Sequence, residues 1–558
     1  MTFAQYTTDF VVAGSGGGLA GALAAAEGGL ETLVVESSPW IGGSTALSGG
    51  TLWLPANRLM LAAGVSDSAE AGAAYLDAIV SEEHVWCARK RRAAFLADSP
   101  ALVQLLERRG VRLYYADGWT DYYAEAQGGL TRGRTIGAKP FSAARLGEAA
   151  AWLRPTKLKL AANSVEVATL ALGGRTWKSA STIARVGLRN AWAKANGIEL
   201  LTRGQSLIAQ TLRALLDARV RIWREAPVQK LIFADGRVLG VEVQHAGNTV
   251  QVLARHGVLL ATGGFARNAL LRTAHQPLVG AQWTLASPDD QGDALRLGEQ
   301  VNAATAALDE AWWVPSTTPP GYTMGHVWDR CFPHSIIVDA HGERYMNEAA
   351  PYMEAGQRML GHARDIGDVR SWLILERRHR DRYAFGMAAP RITPREWLDS
   401  GYLRKADSIE ALARSCGMDP QRLARTVLRF NEHAQAGRDA DFHRGESAFA
   451  RYYGDSRVRP NPNLGVIEKP PFYAAAIYPG DVGTAGGMVA DEHARVLDRQ
   501  GQPIEGLYAA GNCAAPVFGR TYPGAGATIA ASMVFSMRAA RHAATAAASA
   551  PASTRGST

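Results

Sequence analysis

Cysteine is scarce: Cys87, Cys331, Cys416 and Cys513 are the only four in 558 residues, and no two share a CxxC spacing. A disulfide framework and a cysteine zinc site are both excluded, no metal is assigned, and a reducing, bacterial-type cytoplasm is the natural setting. No apolar run approaches the roughly 18 residues of a membrane-spanning helix. The N-terminus lacks the basic stretch and apolar core of a signal peptide. Acidic residues thin out in one place. Between Arg154 and Arg203 nine bases face only Glu166 and Glu199, an excess of seven in a chain of net charge +8. The remainder is nearly neutral.

Glycine, by contrast, is abundant, with 58 residues clustered beside apolar segments. Residues 8–36 read as strand, glycine turn, Ala-rich helix and second strand, ending on Glu36. Bare amides at Gly14, Ser15, Gly16, Gly17 and Gly18 can approach a pyrophosphate at a helix N-terminus, and Glu36 can accept from ribose hydroxyls. A strict GxGxxG would need glycine at position 19, where the chain has Leu19. The segment Ile41–Gly50 (Gly43, Ser44, Thr45, Ser48, Gly49 and Gly50 in particular) and the strand-plus-turn His256–Gly264 favour the longer FAD over NAD. A further strand runs through Gly506–Ala510 to Gly511 and Asn512. It leads into Tyr522-Pro523-Gly524-Ala525-Gly526, just before the apolar, helical stretch Ala527–Met537. A phenol and a glycine amide at a helix N-terminus can hold a carbonyl oxygen that gains negative charge.

The pattern predicts an α/β fold: a Rossmann-like FAD-binding domain of the glutathione reductase type with an inserted α+β catalytic domain. Residues 1–312 would form the cofactor domain, 313–482 the insertion, and 483–558 the return segment. Val220–Val243 reads as a hairpin turning at Asp235-Gly236. Ile409–Ala436 reads as helix, and the Ala/Ser-rich tail from about residue 543 as disorder.

These motifs together resemble the fumarate reductase/succinate dehydrogenase flavoproteins and, within them, the 3-ketosteroid Δ1-dehydrogenases, over nearly the full length. The resemblance rests on the N-terminal turn with Glu36, Gly43–Gly50, Gly342–Glu348, Gly483–Gly487 and Gly506–Gly526. It implies an active site built from Tyr122 of Asp121-Tyr122-Tyr123, Tyr352 of Asn347-Glu348-Ala349-Ala350-Pro351-Tyr352, and Tyr522 with Gly526. Tyr123 beside Tyr122 is an alternative for the first position. Cofactor contacts would further include Val228, Gly263, Thr528 and Ile529. Where the dicarboxylate enzymes carry a His-Pro-Thr segment, this chain has Trp312-Trp313-Val314-Pro315, an apolar wall suited to a flat hydrocarbon. Ser44 lies where succinate dehydrogenases attach flavin covalently, so non-covalent FAD is expected. A sister steroid enzyme acting at C4–C5 has serine between its tyrosine and glycine; Gly524 here favours C1–C2.

The resemblance implies C2 proton abstraction by Tyr352, eased by a Tyr122 hydrogen bond that lowers the Tyr352 pKa, with C1 hydride passing to flavin. Tyr522 and Gly526 would hold the C3 carbonyl of a 3-ketosteroid, and a quinone or other acceptor would take the electrons. A C4–C5 dehydrogenase or a fumarate-reductase-like enoate enzyme is the alternative. The basic segment 154–203 carries Trp177 and Trp192 and reads either as a solvated face or as a peripheral patch for an anionic membrane. Nucleic-acid binding is not expected, since no recognition fold is evident.

Overall fold

The computed structural model describes residues 4–157 and 159–549. Its central sheet runs, in spatial order, Ala4–Thr8, Asn248–Ala254, Arg237–His245, Pro503–Ala509, Val258–Leu260, Phe10–Ala13, Thr32–Val35 and Arg221–Trp223. The last five of these are mutually parallel. The central three, Val258–Leu260, Phe10–Ala13 and Thr32–Val35, are short, buried throughout and almost wholly apolar because both faces are covered. On one face, helix Gly18–Glu27 packs against helix Ala527–Ser549. Alanine and glycine dominate both helices for a steric reason: a Cβ at Gly21 would come within 2.8 Å of the Ser536 carbonyl. The glycine turn thus opens at the C-terminal edge of the parallel strands, where doubly wound folds bind ligands.

An antiparallel sheet, Met324–Gly325, Ala311–Thr317, Phe472–Thr484, Ser371–Glu376 and Ser335–Asp339, builds the second layer. Helix Tyr352–Ile366 packs against it. A small sheet of Thr51–Trp53, Thr135–Ala138 and Leu113–Tyr115 supports the N-terminal end of Ala527–Ser549.

The hairpin forms from Val228–Ala234 and Arg237–His245, and not from Val220 as expected: Arg221–Trp223 instead joins the parallel sheet beside Thr32–Val35. Two further expectations need correction. The stretch Ile409–Ala436 is two helices, Ile409–Cys416 and Pro420–Ala436: Gly417 adopts a left-handed φ of 75°, and Asp419 caps a helix that starts on proline. The expected disorder from residue 543 does not begin there, because the last helix continues to Ser549 with Ala543 fully buried. Alanine has the highest helix propensity, and the cofactor-domain helix gives it a surface to pack on. Residues 550–558 lie outside the described residues. All four cysteines are free and buried. No helix among the described residues is long and apolar enough to cross a membrane.

Candidate active site

A cavity of about 390 Å³ runs from the glycine turn to a group of tyrosines. Every residue expected to hold the cofactor lines it except Gly18 and Gly50. Gly18 instead faces the sheet beneath Ala261, and Gly50 lets the chain pass against the Arg203–Gly204 backbone. The cradle fits a dinucleotide. Gly14 adopts φ +102°, and a Cβ there would run into the Ala261 carbonyl. Glu36 is buried, receiving Ser15 N–H at 3.0 Å and Ser38 N–H at 2.9 Å. Burial raises its pKa, and these hydrogen bonds oppose the rise. Thr262, also in the lining, has a buried hydroxyl oxygen with no hydrogen-bond partner among the described residues. When bound, FAD would be held by these groups and would supply the hydride acceptor.

At the other end Tyr122, Tyr352 and Tyr522 meet with ring centroids 5.1–5.6 Å apart. Tyr522 and Tyr122 are the hydrogen-bonding neighbours of Tyr352. Each ring arrives on a pinned segment. Asp121, fully buried, accepts from the Trp53 indole at 2.8 Å and pairs with Arg134, fixing the loop that carries Tyr122. Tyr122 N–H and the Tyr75 hydroxyl both donate to the Pro523 carbonyl, at 3.0 and 2.7 Å, which ties that loop to the one bearing Tyr522. Tyr352 begins its helix directly after Pro351. One turn on, Gln357 donates to the Arg520 carbonyl at 2.9 Å. Tyr123 points away, into a groove on the far side of the same helix.

Gly526 adopts φ +90° because a Cβ would strike the Thr51 carbonyl. Gly526 lines the cavity, and its N–H makes no hydrogen bond among the described residues. It precedes the first residue of helix Ala527–Ser549, so the helix dipole reinforces it as a donor.

The expected relief of Tyr352 is not what the surroundings provide. Burial raises its pKa well above the usual value, and the neighbouring Tyr122 and Tyr522 push it further up. Three phenols in one desolvated space each disfavour a second negative charge. The expected Trp312–Pro315 wall is likewise different. Trp312 stands behind Tyr522 in an edge contact, its indole donating to Asn512 at 3.0 Å, and Trp313 is tied to Glu310. The indoles that do line the cavity are Trp119 and Trp328, joined by Tyr453 and Val314. Gly524 faces Trp53, where a Cβ would collide with the indole, so packing alone requires glycine there.

The FAD binding domain family model matches residues 9–529. The 3-oxosteroid 1-dehydrogenase of Mycobacterium tuberculosis is 40% identical over 550 residues, covering 95% of this chain and 97% of that protein. The chain belongs to the 3-oxosteroid 1-dehydrogenase family of FAD-binding flavoproteins. A crystal structure of a family member, the 3-ketosteroid Δ1-dehydrogenase of Sterolibacterium denitrificans in complex with 1,4-androstadiene-3,17-dione, superimposes with TM-score 0.90. It is 36% identical and covers 97% of this chain and 100% of that one. A 4-oxocyclohex-2-ene-1-carboxylate 5-dehydrogenase of Sinomonas cyclohexanicum is 33% identical over 96% of this chain and 93% of that protein.

Several lining residues carried no local sequence signal. Trp119, Trp328 and Tyr453 belong to no recognisable motif and are brought in by long-range packing. Ser164 and Val167 also line the cavity and come from the basic segment. Asp290, hydrogen-bonded by Ser44 at 3.1 Å, has its carboxyl pushed up to about 7, chiefly by burial. The acidic turn Asp289-Asp290-Gln291-Gly292-Asp293 was the available hint.

Proposed function

We propose that the protein catalyses FAD-dependent 1,2-desaturation of the A ring of 3-ketosteroids. The observation that carries this reading is the meeting of three buried phenols and a free helix-terminal amide at the aromatic end of a cavity whose other end fits FAD. Tyr522 and Gly526 hold the C3 oxygen and stabilise the enolate character that develops as the C2 proton leaves. Tyr352 takes that proton with Tyr122 beside it, and the C1 hydride passes to the flavin. The indoles and Tyr453 give the steroid skeleton an apolar bed and keep water from the reacting carbons.

The test is anaerobic addition of androst-4-ene-3,17-dione to the yellow protein. Bleaching of the flavin with formation of the 1,4-diene supports the reading, and an unchanged spectrum would sink it. The alternative is a small keto acid of the kind named for the Sinomonas relative. Arg203 is the one basic residue among the described residues lining the cavity and would have to hold its carboxylate. Bleaching by 4-oxocyclohexanecarboxylate but not by the steroid would favour that alternative. FAD is held without a covalent bond: no histidine, cysteine or other flavin-linking side chain than Tyr lines the cavity among the described residues. Acid precipitation should therefore leave a colourless pellet and a yellow supernatant.

The basic segment docks the protein on anionic lipid, the compartment of both the steroid and a quinone acceptor. Helix Trp177–Ala195 is inside-out for a soluble protein. Small and polar residues such as Ser179, Thr182 and Ala193 face inward with Val186, while Trp177, Leu188 and Trp192 are 87%, 72% and 56% exposed. Arg154, Arg175 and Arg189 are engaged internally by Asp289, Asp455 and Glu166, so they contribute less to lipid contact than their number suggests. Flotation with phosphatidylserine vesicles should fall at least tenfold when Trp177, Leu188 and Trp192 are replaced by Ser. Unchanged flotation would end the idea.

A further inference from the structure

Two helices of the basic segment, Ser164–Leu170 and Trp177–Ala195, are tied together as one body. Asn163 and Glu166 close a capping box at the start of the first. Glu166 also pairs with Arg189 of the second at 2.6 Å, and the Ser179 hydroxyl donates to the Thr169 carbonyl at 2.9 Å. The first helix is part of the active site, because Ser164 and Val167 line the cavity. The other walls come from Gly49 and Thr51 on the cofactor side and from Val327, Trp328 and Tyr453 on the second-layer side. The helix pair thus closes a chamber that the two layers leave between them.

Its attachments differ on the two sides. On the cofactor side the chain is built in. Arg154 N–H donates to the Ile41 carbonyl at 3.0 Å, Gln205 to the Arg154 carbonyl at 2.7 Å, and the Ser164 hydroxyl to the Gly49 carbonyl at 2.6 Å. On the second-layer side the hydrogen bonds and the ion pair all come from one turn, residues 171–175. The Ala171 carbonyl accepts from Ala384 N–H at 2.9 Å, Arg175 pairs with the buried Asp455, and the Arg175 carbonyl accepts from Arg457 at 2.8 Å. Gly173 and Gly174 take left-handed φ values of 58° and 80°, and a Cβ at Gly173 would lie 2.7 Å from the Arg382 carbonyl. The turn is seated too closely there for a side chain. Ala171 and Leu172 pack with Phe332 and Tyr383 in a cluster that Trp328 joins, so the turn and the cavity share one packing unit.

A rigid fused-ring substrate cannot bend its way to three buried phenols, so a wall must yield. The helix pair is the wall with least to lose. Across both helices Val186 is the one buried apolar side chain larger than alanine, and little buried apolar area means a low cost of local release. We propose that this helix pair is the gate through which the steroid enters. The turn 171–175 is its latch, and release carries Ser164 and Val167 out of the cavity wall. Arg175 touches no reacting atom; it positions the gate. The inference rests on the steroid reading of the cavity and is independent of lipid docking.

The probe is 1,4-androstadiene-3,17-dione, which already carries the diene and leaves the flavin oxidised. Its association with the FAD-loaded protein and its dissociation are followed by flavin absorbance in stopped flow. Arg175→Met/Asp455→Asn removes the ion pair without leaving a buried charge unpaired. Both rate constants should rise about fivefold or more while affinity changes less than about threefold, since an unlatched gate speeds entry and exit alike. Hydrogen exchange should quicken at the Ala384 amide and across residues 164–175. Unchanged rate constants, or an affinity lost through dissociation alone, would overturn the gate and leave a fixed wall. If the double variant fails to retain FAD, Gly173→Ala decides, because its methyl lifts the turn off the Arg382 carbonyl with both charges kept. It must raise both rate constants, and unchanged values refute the latch. No binding of the diene to the parent protein would instead refute the steroid reading, a result distinct from unchanged rates.

Discussion

Tyr352→Phe is expected to slow flavin reduction by 3-ketosteroid on the order of 100- to 10,000-fold, the usual worth of a positioned general base. The change removes one oxygen and leaves the ring. The ring is what packs: it is 5.4 Å from Tyr122 and 5.1 Å from Tyr522, centroid to centroid. FAD content and thermal midpoint should therefore stay close to those of the parent, and so should the affinity for the steroid. The loss belongs in the chemical step, read as the limiting rate in anaerobic stopped flow rather than in the half-saturating concentration. Tyr122→Phe should cost less, since it removes a partner of the base and not the base itself. Reduction within a few-fold of the parent rate in Tyr352→Phe would eliminate Tyr352 from its assigned role.

What the sequence made legible was mostly local. The turn at Gly14–Gly17, the acidic end of the second strand at Glu36 and the Tyr522–Gly526 segment each announce themselves within a few residues. Each does so because a backbone approach or a helix terminus demands particular residue types at fixed spacing. Residues whose purpose depends on distant partners were not legible. Trp312 reads as a pocket wall but is turned behind Tyr522 by a hydrogen bond to Asn512, 200 positions away. Trp119, Trp328 and Tyr453 line the cavity without any motif to mark them. Gly524 shows a second kind of limit: the sequence marks the position for the C1–C2 reaction but gives no sign that the Trp53 indole leaves no room there for a side chain. The helix expected over Ala527–Met537 was read too short, because Ala/Ser-rich composition beyond it suits disorder as well as helix, and only the packing surface along Gly18–Glu27 decides between them.

Weakening the carbonyl-holding pair should have the second large effect. Tyr522→Phe removes one of two donors, and a single oxyanion-hole donor is typically worth about 100- to 1,000-fold in rate. Apart from its neighbour Tyr352, its hydroxyl meets that of Thr528 at a long 3.3 Å, so little structural support is lost with it. Gly526→Ala attacks the same interaction differently. The amide survives chemically, but a left-handed φ and the Thr51 carbonyl leave no room for the new methyl, so the donor must shift. Ground-state affinity should change little in Tyr522→Phe, because a neutral ketone asks less of the donor than a developing enolate. The combined variant Tyr522→Phe/Tyr352→Phe separates this arrangement from two independent contributions. Proton removal at C2 and charge growth on the C3 oxygen are one event, so donors without a base have little charge to stabilise. The double variant should then lose far less than the product of the two single losses. Multiplicative losses would mean that the tyrosines act on different steps.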